Sequence, residues 1–249
     1  MDREELTRQG LMNRLAHSVR FRSGVVFRRG RRVLRRNFGR DACEAYHFWY
    51  YETDVQARIT FEGISIRKSV LDLWNYQQII WALKPSVVVE FGAKHGGSAL
   101  WFARLLDAMG SGRVITVDTR PERVDERTVS HPRIEVRGGM STDPALIAEL
   151  SSLRSADPEP WFLILDSDHT RDNVYAELAA VTPFLRSGDR VIVEDGNING
   201  NPVAPAWGPG PLEAIRDYFC DFPGAYTSDL ESERRFGWTF APSGYLIRN

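Results

Sequence analysis

The chain contains little cysteine and little lysine, and it has no long apolar run. Only Cys43 and Cys220 occur in 249 residues, too few and too far apart for a disulfide framework or a cysteine-based metal cluster. No apolar stretch approaches the roughly 20 residues of a membrane-spanning helix, and the first residues lack the charged-then-apolar order of a signal peptide. These absences predict a cytoplasmic protein.

The near-neutral net charge hides an uneven distribution. Residues 14–40 contain ten arginines and no acid. The rest of the chain has 22 basic and 33 acidic residues, which gives it a net charge of −11. Leucine, valine and phenylalanine are mixed with these arginines, so the segment suits either an arm in solvent or at a subunit contact, or a peripheral contact with the anionic inner membrane surface. The acidic remainder and the lack of a nucleic-acid-binding motif predict that nucleic acid is not a partner.

Strand-like and helix-like segments alternate from residue 70 onward. VLDLWNYQQIIWAL (70–83) has apolar residues at helical spacing, and VVVEFG (87–92) is a β-branched run typical of a buried strand. The alternation continues through GSALWFARLLDAM (97–109), RVITVD (113–118), RIEVR (133–137), ALIAELSSL (145–153), WFLILD (161–166), VYAELAAVTPFL (174–185), DRVIVED (189–195) and PLEAIRDYF (211–219). This order predicts an α/β fold with a doubly wound, Rossmann-like parallel sheet. GWTFAP (237–242) and GYLIR (244–248) predict a closing antiparallel pair.

The loop EFGAKHGGS, Glu90 to Ser98, follows the first strand of this predicted sheet. Its glycines permit a tight turn and a close approach of a ligand, whose polar groups would meet free N–H donors. Asp118 ends the next strand, 26 residues after Gly92, where an acid commonly accepts hydrogen bonds from ribose hydroxyls. The glycines at 92, 96 and 97 do not match the G-x-G-x-x-G spacing of dinucleotide-binding proteins. S-adenosylmethionine therefore fits better than a nicotinamide dinucleotide.

The stretch LILDSDHT (163–170) ends a strand with a crowded polar tip. Its D-x-D-x-T order also occurs as the nucleophile motif of haloacid-dehalogenase-type phosphatases. That fold places the motif on its first strand and needs a later lysine, whereas here the motif follows the fourth strand and no lysine follows Lys94. The phosphatase alternative is therefore disfavoured.

Carboxylates at two successive strand ends predict a metal site. Asp166 ends one strand, and Glu194 and Asp195 end the next, 28 and 29 residues later. Adjacent parallel strands would bring these acids to one sheet edge, where a hard cation such as Mg²⁺ would relieve their repulsion. His169, on the loop after Asp166, is the candidate general base because its ordinary pKa suits proton removal near neutral pH.

Several longer strings carry a family resemblance. The chain resembles the cephalosporin-hydroxylase-like group of S-adenosylmethionine-dependent methyltransferases, and most closely the mycobacterial rhamnosyl O-methyltransferases. The strings are YHFWYYE (46–52), KSVLDLWNYQQII (68–80), EFGAKHGGSA (90–99), VITVD (114–118), STDPAL (141–146), LDSDH (165–169), VIVEDGNINGNPV (191–203), GPGPLEAI (208–215) and FGWTFAPSGYLIRN (236–249). The resemblance covers most of the chain after residue 45.

The resemblance implies a role for each matching residue. It implies a cofactor site for S-adenosylmethionine, with the loop glycines and Ser98 at the methionine end, Asp118 at the ribose and Ser141 near the adenine. It also implies Mg²⁺ ligands and a base. The predicted cofactor-binding residues are Glu90, Gly92, Gly96, Ser98, Asp118, Ser141 and Asp166; the predicted Mg²⁺ ligands are Asp166, Glu194 and Asp195; the predicted base is His169.

The functional prediction is an Mg²⁺-dependent O-methyltransferase that acts on a sugar hydroxyl, such as that of a rhamnosyl residue of a glycolipid. Methylation of a soluble acceptor, or a non-catalytic role beside another enzyme, are the alternatives. We further predict a homo-oligomer, with residues 1–60 as a basic arm and helical cap and residues 61–249 as the methyltransferase domain. The loop 197–211 is equally suited to a lid over the substrate and to a rigid connection.

Overall fold

The computed structural model describes residues 38–249. The side chains of residues 14–40, for which an arm or a membrane contact is predicted, lie outside the described residues. The chain divides between Ala45 and Tyr46, and the unit Tyr46–Asn249 contains the sheet and all of the predicted site residues. The predicted domain boundary at residue 60 stays a prediction.

A seven-stranded sheet forms the centre of this unit. Its strands are β3 (Val87–Phe91), β4 (Arg113–Asp118), β5 (Ile134–Gly138), β6 (Trp161–Leu165), β7 (Arg190–Val193), β8 (Tyr226–Ser228) and β9 (Tyr245–Arg248), after a two-stranded ribbon of β1 (Thr60–Phe61) and β2 (Ile64–Ser65). The order in the sheet is β5-β4-β3-β6-β7-β9-β8. Strands β3 to β7 are parallel, and β9 runs antiparallel to β7 and β8. The predicted α/β fold with an antiparallel C-terminal strand is confirmed.

Helices cover both faces of the sheet. The helices of the described residues are α1 (Phe38–Glu52), α2 (Val70–Leu83), α3 (Gly97–Met109), α4 (Glu126–Val129), α5 (Pro144–Ala156), α6 (Arg171–Val181), α7 (Pro211–Asp221) and α8 (Leu230–Arg234). Alternate residues of β3 point to opposite faces, so Val87 and Val89 pack with α5, α6 and α7, whereas Val88 packs with α2 and α3. Within residues 38–249, no helix is long and apolar enough to cross a membrane.

The strand order creates a crevice beside β3. After β3 the chain builds β4 and β5 on one side, and it then returns to place β6 on the other side of β3. Loops that leave β3 and β6 therefore diverge at their carboxyl ends, which is where ligands bind in open parallel sheets. The glycine loop and the polar tip both follow these two strands.

Two predicted elements differ in the structure. The helix predicted from residue 174 begins earlier, at Arg171, because Thr170 caps it by accepting a hydrogen bond from the Asn173 amide. It ends at Val181 rather than at residue 185. Pro183 follows the helix end, as expected for a residue that disfavours helical backbone before it.

The predicted strand GWTFAP is wrong, because β8 pairs with β9 instead. The buried carboxylate of Asp72 accepts hydrogen bonds from the Thr239 hydroxyl at 2.5 Å and from the Phe240 amide at 2.9 Å. The Tyr245 hydroxyl donates to the same carboxylate at 2.7 Å. This segment therefore bonds to a side chain of α2 rather than to a strand partner, a long-range contact that local alternation does not reveal.

Candidate functional site

The loop after β3 lies against the loop after β6. Gly92 has a φ of +100°, and a Cβ atom there would lie 2.0 Å from the carbonyl oxygen of Asp166. Only glycine permits both this left-handed backbone and this close approach. Gly92 thus joins the glycine loop to the polar tip at the crevice between β3 and β6.

The next glycines of the loop serve packing. Gly96 has a φ of +82°, and a Cβ atom there would lie 2.7 Å from a methyl group of Val124. A Cβ atom on Gly97 would lie 2.4 Å from the carbonyl oxygen of Ser65. Neither glycine lines the crevice, whereas the side chain of Ser98, in the first turn of α3, does.

A cavity of about 640 Å³ opens at these strand ends. Seven of the ten predicted site residues line it: Gly92, Ser98, Asp118, Ser141, Asp166, His169 and Asp195. The other three, Glu90, Gly96 and Glu194, lie behind the wall and are all buried. The structure therefore brings the predicted cofactor loop and the predicted metal site to one cavity.

Asp118 is held rigidly at the end of β4. One carboxylate oxygen accepts a hydrogen bond from the backbone amide of Lys94 at 2.7 Å, and the other accepts one from the amide of Arg120 at 2.8 Å. These contacts fix the carboxylate beside the glycine loop. Each oxygen keeps a further lone pair that can accept a hydrogen bond from a ligand hydroxyl.

A buried lysine lies between two of the predicted metal ligands. The ammonium of Lys68 is 2.7 Å from Asp166 and 2.9 Å from Glu194. Its side chain is only 2% exposed. Burial lowers the pKa of Lys68, but the charges of Asp166 and Glu194 outweigh that effect and raise the pKa well above its ordinary value. Lys68 therefore stays charged, although burial also raises the pKa of the Glu194 carboxyl against the influence of Lys68.

Asp195 and His169 face each other across the cavity floor. The imidazole Nε2 of His169 lies 3.2 Å from Asp195 and 3.9 Å from Asp166. Asp195 has a left-handed φ of 57°, a conformation that is uncommon for residues other than glycine and is found at functional sites. Burial opposes protonation of His169, but Asp195 and then Asp166 raise its pKa above the ordinary value.

The donor atoms of Asp166, His169 and Asp195 fit a divalent cation. One ligand atom from each residue lies within 4.8 Å of the others, and all three side chains are partly exposed to the cavity. Carboxylate oxygens are hard ligands of the kind that Mg²⁺ prefers. Asp166 and Asp195 place two carboxylates at the same wall of the cavity, and a cation bound between them would relieve their mutual repulsion.

Glu90 lies beneath the glycine loop, away from the cavity. It is fully buried and accepts a hydrogen bond from the Thr116 hydroxyl at 2.8 Å. Burial raises the pKa of Glu90, while the charge of Lys68 lowers it. Its neighbours indicate that Glu90 supports the loop from behind.

A second buried acid supports the opposite wall. Glu177 is fully buried, and the hydroxyl of Ser167 donates a short hydrogen bond to it. Ser141, Ser167 and Asn173 all line the cavity, and their polar side chains near Glu177 lower its pKa. Burial is nevertheless the largest effect and raises the pKa of Glu177 to about 7. The Ser167 hydroxyl also lies 3.5 Å from the Ser141 hydroxyl and accepts a hydrogen bond from the Asn173 side-chain amide at 3.0 Å. Glu177 therefore holds Ser167, and Ser167 connects Ser141 and Asn173 to it.

Sequence reasoning missed several of these residues. Lys68 is one of three lysines in the chain, and this scarcity, together with its place in KSVLDLWNYQQII, was the available signal. Glu177 carries no such signal, because an acid on an amphipathic helix is usually solvated. Asp72 likewise resembles an ordinary first-turn acid of α2, although it is 2% exposed.

Comparisons with known proteins agree with this geometry. The family model described as rhamnosyl O-methyltransferase/CmcI matches residues 53–249. The chain belongs to this family. The predicted family and enzyme class, an S-adenosylmethionine-dependent O-methyltransferase, are confirmed.

Two curated relatives and two solved structures illustrate the match. The chain is 46% identical over 208 residues to the rhamnosyl O-methyltransferase of Mycobacterium tuberculosis, covering 83% of this chain and 85% of that protein. It is 44% identical over 207 residues to the Mycobacterium leprae protein of the same name, covering 83% and 90%. The CmcI apo-structure aligns with a TM-score of 0.61 at 24% identity, covering 77% of this chain and 76% of that chain. A CmcI structure with Mg-SAM aligns with a TM-score of 0.60 at 22% identity, covering 78% and 77%.

Proposed function

We propose that this enzyme transfers a methyl group from S-adenosylmethionine to a sugar hydroxyl in an Mg²⁺-dependent reaction, with a rhamnosyl residue of a glycolipid as the acceptor. One observation carries the proposal. A single cavity of about 640 Å³ is lined both by the loop and ribose acid expected for the cofactor and by Asp166, His169 and Asp195. Methyl transfer needs this proximity, since donor and acceptor must be held in line.

The proposed cofactor site uses the walls nearest β3 and β4. Gly92 allows the chain to approach the ligand closely, and Asp118 would accept hydrogen bonds from the ribose hydroxyls. Ser141, whose hydroxyl lies 3.5 Å from that of Ser167, would lie at the adenine. Glu90 and Gly96, both predicted to bind the cofactor, would act on it through the shape of the loop, because neither lines the cavity.

The proposed metal ligands are Asp166, Glu194 and Asp195. Asp166 and Asp195 present carboxylates to the cavity, with side chains 24% and 25% exposed. Glu194 is 4% exposed and contacts Lys68 in this structure. Its carboxylate would therefore have to release the Lys68 ammonium before it could bind the ion. His169 also has a ring nitrogen within ligand distance of Asp166 and Asp195, but we assign that nitrogen to proton transfer and the ion to the three carboxylates.

His169 is the proposed base. When bound, S-adenosylmethionine supplies an electrophilic methyl group on its sulfonium, and Mg²⁺ lowers the pKa of a sugar hydroxyl. With Asp166 and Asp195 neutralised by an ion, His169 would lose the charges that raise its pKa and would be able to accept the hydroxyl proton near neutral pH. Its role would be to leave the sugar oxygen deprotonated for methyl transfer, whose products would be a methyl ether and S-adenosylhomocysteine.

The acceptor assignment has separate support. The curated relatives that are 46% and 44% identical are both named rhamnosyl O-methyltransferase. Trp207 lines the cavity and is 65% exposed, so its ring is available to stack on a sugar face. The glycolipid part of the proposal rests on the sequence resemblance and on the arginine-rich segment 14–40, which suits an anionic membrane surface.

The test is methyl transfer from labelled S-adenosylmethionine to a rhamnosylated glycolipid and to a soluble rhamnoside, each with Mg²⁺ and with a chelator. The proposal predicts label in the glycolipid that disappears with the chelator. If only the soluble rhamnoside is labelled, the acceptor is a soluble rhamnoside and the glycolipid part of the proposal is wrong. Binding of the cofactor without transfer to either would remove the sugar from the proposal.

A matched pair of variants tests the metal site. Asp166→Ala is expected to abolish Mg²⁺-dependent transfer, whereas Asp172→Ala should retain it, because Asp172 is 87% exposed on α6 and outside the cavity. Normal Mg²⁺-dependent turnover by Asp166→Ala would exclude that carboxylate as a ligand.

A further inference from the structure

Two basic residues with unusual backbone line the same cavity. Arg67 follows β2, and Lys94 lies in the glycine loop. Both side chains are exposed at the cavity wall, and both residues have a left-handed φ of 51°. This conformation costs a residue other than glycine roughly 1–2 kcal/mol and persists where the surrounding structure imposes it. The fold thus directs two cations to one cavity at an energetic cost.

Neither cation has a protein partner among residues 38–249. Within that range, no carboxylate lies within 4.0 Å of the Arg67 guanidinium or the Lys94 ammonium, and neither group donates a side-chain hydrogen bond. Lys68 differs, because its ammonium contacts two carboxylates at 2.7 and 2.9 Å. Arg67 and Lys94 therefore remain available to a ligand.

The two charges also repel each other. Burial lowers the pKa of the Lys94 ammonium, and the positive charge of Arg67 lowers it further. An anion that contacts both groups would relieve this repulsion. Arg67 precedes α2 and Lys94 precedes α3, and both residues line the cavity that such an anion would enter.

The acids of the cavity restrict what that anion can be. Asp118, Asp166 and Asp195 line the remaining wall, so a ligand with several negative charges would be repelled by them. A suitable ligand carries one anionic group together with cationic or neutral polar groups. The amino-acid end of S-adenosylmethionine has this pattern, with one carboxylate beside an ammonium and a sulfonium.

The position of Lys94 favours the same ligand. Its backbone amide donates to Asp118 at 2.7 Å, so the proposed ribose acid at the end of β4 contacts the residue that carries this cation. In the cofactor, the amino-acid chain extends from the ribose. A ribose held at Asp118 therefore brings the carboxylate into the neighbourhood of Lys94.

We propose that Arg67 and Lys94 form a carboxylate-binding pair that receives the α-carboxylate of S-adenosylmethionine. The inference rests on the proposed function, because it presumes that the cofactor occupies this cavity. It adds two residues to the cofactor site, and it assigns them the ligand's amino-acid end rather than its nucleoside.

The experiment compares S-adenosylmethionine with its decarboxylated form, which lacks only the carboxylate, by calorimetric titration of the full chain. Arg67→Met and Lys94→Met should each weaken binding of S-adenosylmethionine by about 10- to 100-fold, the factor expected for losing a hydrogen bond to a charged group. Both variants should bind decarboxylated S-adenosylmethionine as the wild type does. Arg67→Lys, which keeps the charge, should recover part of the lost affinity.

Arg120→Met is the matched control. Arg120 lines the same cavity, and its guanidinium has no carboxylate within 4.0 Å among residues 38–249. Its backbone amide donates to the ribose acid Asp118 at 2.8 Å, so its charge is assigned to the nucleoside end of the ligand. Removing its charge should change the affinities for the two ligands by equal factors. Unfolding temperatures of all variants show whether a loss of binding reflects a loss of folding.

Other outcomes have distinct meanings. Equal effects of Arg67→Met or Lys94→Met on both ligands would overturn the pairing with the carboxylate. If the variants keep their affinity for the cofactor but have a raised KM for the acceptor, Arg67 and Lys94 bind an anionic group of the acceptor instead. That result would also overturn the proposal. A wild-type protein that binds neither ligand would instead refute the proposed function, and the inference with it.

Discussion

A buried cation and a buried carboxylate lie at each end of strands β6 and β7. The two ends differ in how the positive and negative charges are matched. At the amino ends, Arg154 binds Asp189 through Nε at 2.9 Å and Nη2 at 3.0 Å. The amides of Trp161 and Arg186 also donate to Asp189, at 2.9 and 2.8 Å. The charges match one to one, and the two side chains are 2% and 1% exposed.

At the carboxyl ends, one lysine faces several acids. Lys68 contacts Asp166 and Glu194, while Asp195 lies beyond its reach and contacts His169. Asp166 and Asp195 also open to the cavity. In a closed, balanced pair each charge satisfies the other, and removal of one leaves a buried charge unpaired, whereas carboxylates that open to a cavity are suited to binding a cation. The comparison therefore separates a structural ion pair from a site, although both use the same residue chemistry.

The largest expected effect is at the carboxyl ends. His169→Ala should lower kcat by about 10²- to 10⁴-fold, the range typical of losing a general base, while cofactor affinity stays unchanged. His95→Ala is the control, because His95 is exposed in the glycine loop and does not line the cavity. Steady-state rates and calorimetric titration with S-adenosylhomocysteine measure the two quantities. Near-normal rates in His169→Ala would remove this residue from the mechanism.

Substitutions at the amino ends of β6 and β7 should lower the free energy of unfolding more than substitutions at the carboxyl ends do. Arg154→Met leaves Asp189 buried without its cation and should lower the free energy of unfolding by about 3–5 kcal/mol. Lys68→Met should lower it less, because Asp166 remains partly exposed to water and the buried Glu194, whose pKa burial raises, can take up a proton. Arg113→Met, which removes a half-exposed ion pair with Glu135, should cost no more than about 1 kcal/mol.

Denaturant unfolding with a chelator present measures all three variants. A larger loss from Lys68→Met than from Arg154→Met would contradict the distinction between a structural pair and a functional site. Equal losses from Arg154→Met and Arg113→Met would show that the buried pair contributes no more than a surface one.

Mg²⁺ should stabilise the folded protein through the carboxylates at the carboxyl ends of β6 and β7, and not through the ion pair at their amino ends. At 100 times its Kd, an ion that binds only the folded protein adds about 2.7 kcal/mol to the free energy of unfolding. Asp195→Asn should lose this increment, and Arg154→Met should retain it despite its lower stability. Thermal unfolding with and without Mg²⁺ provides the comparison, and an increment that survives in Asp195→Asn would place the ion elsewhere.

The last expected effect is a pH dependence of stability from the wall of the cavity, which is small over a single pH unit. Burial raises the pKa of Glu177 to about 7, above its ordinary value of 4.5. Between these values the folded protein binds the proton more tightly than the unfolded chain, so stability is highest at low pH and falls as pH rises towards 7. The contribution is at most about 1.4 kcal/mol per pH unit.

Glu177→Gln should remove this slope, because glutamine keeps the size and hydrogen bonds of the side chain but does not titrate. Unfolding in chelator at pH 5, 6 and 7 tests it. Parallel pH profiles for the wild type and Glu177→Gln would assign the slope to other groups.

Much of the fold could be predicted because it depends on local pattern. The helix at Val70–Leu83 and strands such as Trp161–Leu165 follow from apolar spacing, which one stretch of chain contains by itself. The strand predicted at 237–242 failed because Asp72, 167 residues before Thr239, holds that segment by hydrogen bonds. Local alternation contains no information about such a partner.

The candidate site divides in the same way. The sequence by itself determined the glycine loop, the acid at Asp118 and the polar strand ends at Asp166 and Asp195, because strand order alone brings the ends of parallel strands to one edge. Only the tertiary structure decided that Lys68, 98 residues before Asp166 and 126 before Glu194, lies between those carboxylates. It also decided that Arg67 and Lys94 face one cavity. Such contacts depend on how helices and loops pack across the sheet, and no local pattern specifies that packing.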